Sequence, residues 1–97
     1  MGQLLQSALD HRQQILALLA SAGASEARIF GSAIHADETP ESDLDLLVRL
    51  PRTVSLFEVA RLQGELSAML QRRVDLVIED ELHPRIREQV LREARPL

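Results

Sequence analysis

Three aspartates, Asp43, Asp45 and Asp75, have the residue type and spacing to do chemistry. Asp43 and Asp45 stand two apart at the entrance of the apolar run 44–50, and alternate residues of a strand project from one face. Two carboxylates held that close repel one another unless a cation lies between them. Oxygen ligands suit Mg2+, which is commonly bound by one or two protein carboxylates together with substrate phosphates. A third carboxylate from a neighbouring strand would complete a site for two ions about 3.5–4 Å apart. Asp75, set among apolar residues in VDLVI, is the best candidate. A plainer reading stays open, in which Asp-x-Asp caps a loop and Asp75 sits exposed on an edge strand.

Gly31-Ser32 precedes the aspartates. Glycine tolerates a tight turn or the close approach of a ligand, and serine is a good first residue for a helix. If residues 33–36 form one helical turn, their free amides could receive a phosphate, with the Ser32 hydroxyl helping. Gly-Ser also marks ordinary turns, and His35 taken alone reads as a surface residue.

The elements that must position these groups follow from periodicity. Residues 3–22 repeat leucine and isoleucine at helical spacing, as one helix or as two broken near Asp10, with Gly23 as the C-cap and His11 a surface residue. Residues 27–30 make a short strand, 37–42 a polar loop containing Pro40, and 44–50 a strand buried on both faces that Pro51 ends. Residues 54–71 form a helix capped by Thr53 or Ser55. Leu56, Val59, Ala60, Leu66, Met69 and Leu70 offer its apolar face, and Gly64 suggests close packing on the sheet. Residues 74–78 alternate as a third strand, and 82–94 form a last helix with Pro84 in its first turn and Pro96 beyond it. The expectation is one α/β (α+β) domain over residues 1–97, a small mixed sheet covered on one side by helices.

Composition narrows the possibilities. The absence of cysteine excludes disulfides, thiolate metal sites and a cysteine nucleophile. The sequence shows neither a signal-peptide pattern nor an apolar run of about 18 residues, so the expected location is cytoplasmic. A net charge of −4 and the lack of Tyr and Trp argue against a nucleic-acid-binding surface. Arg85, Arg87, Arg92 and Arg95 crowd the final segment and could read an acidic partner face, as could apolar positions of the first helix. A chain this short buries only about 60–65% of its unfolded surface, so a second subunit or partner would help it.

Phe30-Gly31-Ser32, then Ser42-Asp43-Leu44-Asp45-Leu46-Leu47-Val48, then Val74-Asp75-Leu76-Val77 together resemble the nucleotidyltransferase core of the DNA polymerase beta superfamily. The length and the ending LHPRIREQVLREARPL are similar to the minimal nucleotidyltransferases of bacteria and archaea. The resemblance covers about residues 27–97. It implies a palm-like core in which Gly31, Ser32 and His35 bind the triphosphate of ATP, and Asp43, Asp45 and Asp75 are the catalytic, Mg2+-binding carboxylates. It further implies AMP transfer to a tyrosine of a HEPN-domain ribonuclease toxin, silencing it, within a homo-oligomer or a toxin–antitoxin complex. The alternatives are an antitoxin of this fold that neutralises by binding alone, and a nucleotidyltransferase for a small-molecule acceptor. The chain departs from the family pattern at His35 and Ala36, where relatives often carry arginine and glycine.

Overall fold

A computed structural model of the chain describes residues 2–35, 39 and 41–97. The elements are α1 (Gln3–Asp10), α2 (Arg12–Ser21), β1 (Glu26–Phe30), α3 (Ser32–His35), β2 (Leu44–Arg49), α4 (Leu56–Leu70), β3 (Val74–Ile78), a 3-10 turn (Glu79–Glu81), α5 (Pro84–Glu93) and β4 (Arg95–Pro96). The first apolar segment is two helices, broken at His11, whose ring nitrogen bonds the Ser7 carbonyl at 2.9 Å. Ala36 of the expected helical turn, and Asp37, Glu38 and Pro40 of the 37–42 loop, lie outside the described residues.

The strands form one mixed sheet in the order β3-β2-β1-β4. β1 runs antiparallel to β2 and to β4, whereas β2 and β3 are parallel. A parallel pair needs a crossover, and α4 supplies it. β4 was not foreseen, because Pro96 reads as a terminator. At a sheet edge a proline costs no ladder bond, and Leu97 N donates to the Ala27 carbonyl at 3.0 Å.

Leu44, Leu46 and Val48 of β2, with Val74 and Leu76 of β3, turn into a core shared with Leu4, Ile15, Leu19, Leu62, Leu66 and Leu70. The apolar face of α4 is the expected one at Val59, Leu66, Met69 and Leu70, which pack into or against the core, and differs elsewhere. Leu62 is fully buried, whereas Leu56 is 76% exposed and Ala60 is exposed, because Leu62, Leu66 and Leu70 share a four-residue ridge that Leu56 and Ala60 do not join. Ser55 caps α4, its Oγ accepting from Glu58 N at 3.1 Å.

Gly64 packs against nothing: a Cβ there would have no neighbour within 4 Å. It therefore costs helix propensity without a packing role. Gly64→Ala is expected to stabilise the protein by about 1 kcal/mol, raising Tm by roughly 4–8 °C in a calorimetric scan.

Glu79 is the buried charge that sequence reading passed over. It is 3% exposed and is held by Arg49 Nε at 2.8 Å and Arg28 Nη1 at 3.9 Å. Arg87 of α5 donates to the Glu79 carbonyl at 2.8 Å, so this arginine is committed internally. Arg49→Ala leaves Glu79 with the more distant guanidinium and is expected to lower stability, measurable as a lower urea midpoint.

Candidate active site

β2 and β3 set the carboxylates. Their parallel register pairs Asp45 with Asp75, and strand neighbours stand about 4.8 Å apart. Asp75 projects from the face opposite buried Val74 and Leu76 and is exposed on the edge strand, not enclosed by apolar side chains. Asp43 lies one residue before β2, where Leu44 N donates to the Arg73 carbonyl at 2.9 Å. Its Oδ1 is shielded from solvent and lies 3.0 Å from Arg73 Nε, an ion pair without hydrogen-bond alignment.

Asp45 is crowded by its own kind. Burial, then the charges of Asp75 and Asp43, push its carboxyl up to about 6 from an ordinary 3.8. Across the β1–β2 pair, Phe30 is opposite Asp45, which brings the following Gly31 over that carboxylate. Gly31 has φ +75°, and a Cβ there would collide with Asp45 Oδ2. Any other residue would both strain the backbone and strike the carboxylate. Gly31→Ala is expected to lower stability by about 2 kcal/mol and to weaken nucleotide binding, read by thermal unfolding with and without AMP-PNP.

α3 begins directly after Gly31. The amides of Ile34 and His35 both donate to the Gly31 carbonyl, which leaves Ser32 and Ala33 ahead of the first committed amide. His35 is turned outward to Glu93 of α5, Nε2 lying 2.8 Å from Oε2.

These groups fit a divalent cation. A solvent-shielded Asp43 oxygen lacks a hydrogen bond, Asp45 is driven towards its protonated form by burial and then by neighbouring anions, and a glycine leaves room beside it. Among the described residues no three acidic or histidine side chains are gathered closely enough to ligate one ion.

The four-stranded mixed sheet, with its carboxylates beneath a glycine turn, agrees with the nucleotidyltransferase core that the motifs resemble. Residues 12–97 match the nucleotidyltransferase domain, and the chain belongs to that family. A Methanocaldococcus jannaschii chain, provisionally named protein adenylyltransferase MJ0435, is 32% identical over 83 residues, covering 86% of this chain and 89% of that one. Protein adenylyltransferase MntA of Thermococcus cleftensis is 38% identical over 71 residues, 73% of this chain and 72% of its own. A solved structure provisionally described as a minimal nucleotidyltransferase superposes with TM-score 0.84 at 45% identity, covering 96% of this chain and 95% of that one.

The fold is shared with more distant solved chains. One is a toxin–antitoxin complex with AMP-PNP, with TM-score 0.75 and 23% identity, covering 87% of this chain and 69% of that one. Another is a tri-AMPylated Shewanella oneidensis HEPN toxin with its MNT antitoxin, with TM-score 0.69 and 22% identity, covering 89% and 67%.

Proposed function

We propose that this chain is a Mg2+-dependent protein adenylyltransferase that moves AMP from ATP to a tyrosine hydroxyl of a HEPN ribonuclease toxin in the cytoplasm, and so acts as its antitoxin. The observation that carries this reading is Asp45 in register with Asp75, with the Gly31 backbone closed down upon Asp45. The relatives named protein adenylyltransferase, and the shared fold of toxin–antitoxin complexes, support the same direction.

Gly31 and Ser32 hold the triphosphate, with His35 at the far end of their turn. Asp43 and Asp45 would hold Mg2+ for the nucleotide, and Asp75 would hold it for the acceptor. When bound, the ion neutralises charge on the transferring group and orients an in-line displacement. The tyrosine oxygen bonds to the α-phosphorus, the bond from that phosphorus to the α–β bridging oxygen breaks, and pyrophosphate leaves. Asp75, exposed to solvent, favours loss of the hydroxyl proton to water. An edge-strand carboxylate open to solvent suits an acceptor presented on a partner's surface. Exposed Arg85, Arg92 and Arg95 provide positive charge for an acidic face of that partner in a heteromeric complex.

The test is incubation with the candidate toxin, ATP and Mg2+, followed by intact mass. Each transferred AMP adds about 329 Da. Toxin that loses ribonuclease activity without gaining mass defeats the enzymatic reading in favour of neutralisation by binding. One observation favours that second reading: Asp43 is ion-paired with Arg73.

A further inference from the structure

The short α3 turn poses a mechanical problem. Four residues cannot hold a helical conformation alone, because nucleation costs more than one turn of hydrogen bonds returns. Yet this turn carries Ser32 and follows the glycine that overlies Asp45. Ala33, 6% exposed, anchors its inner side. Its outer side is anchored by the His35–Glu93 contact at 2.8 Å.

Glu93 is well placed to serve as that anchor. Gln89 Nε2 donates to its other oxygen at 3.3 Å, so both ends of the carboxylate are engaged. Two residues later the chain enters β4, whose Arg95 and Pro96 pair with Ile29 and Arg28 of β1. β1 in turn delivers Gly31. The contacts therefore close a ring: β1, the Gly31 turn, α3, His35, Glu93, β4 and back to β1. An acid in the last turn of a helix also opposes the helix dipole, a penalty that contact with a histidine donor relieves.

We propose that Glu93 is a positioning residue for the nucleotide site, holding the Ser32–His35 turn over Asp45 through His35. The proposal rests on the nucleotidyltransferase reading above and extends it to a residue on α5, remote in sequence from the aspartates.

The test uses the full chain and three readouts: amide exchange of residues 32–35, affinity for AMP-PNP with Mg2+, and the separate KM and kcat for ATP. Glu93→Gln is expected to speed exchange across the turn and to weaken AMP-PNP binding about fivefold, the scale of one partly exposed charge-assisted bond. KM should rise more than kcat falls. His35→Ala should show the same losses, and the double variant should be no worse than His35→Ala.

A purely structural role would lower Tm without moving affinity in folded protein. Equal AMP-PNP affinity in wild type and Glu93→Gln overturns the proposal and leaves the functional reading standing, as does an additive loss in the double variant. Wild-type protein whose turn is protected by Glu93 but which binds no AMP-PNP overturns the functional reading and with it the role given to the turn.

Discussion

Asp43→Asn and Asp45→Asn are each expected to reduce AMP transfer by about a thousandfold or more, the scale seen when one preorganised electrostatic contact to a transition state is removed. The amide keeps the shape of the carboxylate and the Leu44–Arg73 backbone bond, so folding should survive. What disappears is the negative charge proposed to hold a divalent cation. Intact-mass time courses with ATP and Mg2+ measure the rate. Undiminished transfer by either variant would remove the aspartates from the chemistry. Neutralisation that persists in both, with no mass gained by the toxin even from wild type, would identify a binding antitoxin. AMP transfer to a small molecule in the absence of any protein partner would support the third alternative.

The same Asp45→Asn change should make the protein more stable, with a dependence on pH that identifies the cause. Asp45 in the fold has its carboxyl raised to about 6 from 3.8, chiefly by burial and then by Asp75 and Asp43. A raised acid means that the folded state holds its proton more firmly than the unfolded state. This group therefore favours folding most below pH 3.8, and that contribution is lost as pH rises through about 6. At neutral pH the ionised carboxylate is a liability. Solvent reaching this half-buried group reduces the cost to about 1 kcal/mol, which corresponds to roughly 4–8 °C in Tm for a domain of this size. With EDTA present at pH 7.5, Asp45→Asn should melt higher than wild type by that amount. The advantage should shrink through pH 6 and vanish near pH 4. Saturating Mg2+ and AMP-PNP should narrow the gap at neutral pH by stabilising wild type alone. An advantage unchanged between pH 7.5 and 4 would point to packing and not to charge.

The two expectations express one conflict. Asp45 stands where its charge destabilises the fold, chiefly through burial and then through the proposed ligands themselves, Asp75 and Asp43. A site that binds a cation must carry excess negative charge before the cation arrives.

Local pattern was sufficient for much of the chain. The 3.6-residue and two-residue periods located every long helix and three strands, because burial of one face imposes those periods on any sequence that folds this way. Proline and serine marked boundaries for the same local reason: Pro51 stops β2, Ser55 caps α4 and Pro84 opens α5. The identity and spacing of Asp43, Asp45 and Asp75 were likewise legible, since a strand's geometry is known before its partners are.

Other features depend on which segments meet, and no local rule supplies that. The pairing of Asp45 with Asp75 comes from the β2–β3 register across a crossover helix, and the same register leaves Asp75 exposed at a sheet edge. The burial of Leu62 and the exposure of Leu56 depend on the direction in which α4 crosses the sheet. Glu79 looks like a surface acid until Arg49 and Arg28, from two other strands, are folded onto it. The His35–Glu93 bond joins residues 58 apart in the chain. Periodicity is a property of single segments and is written along the chain. Register, burial of charge and contact between distant side chains are properties of pairs of segments, and only the packed structure decides them.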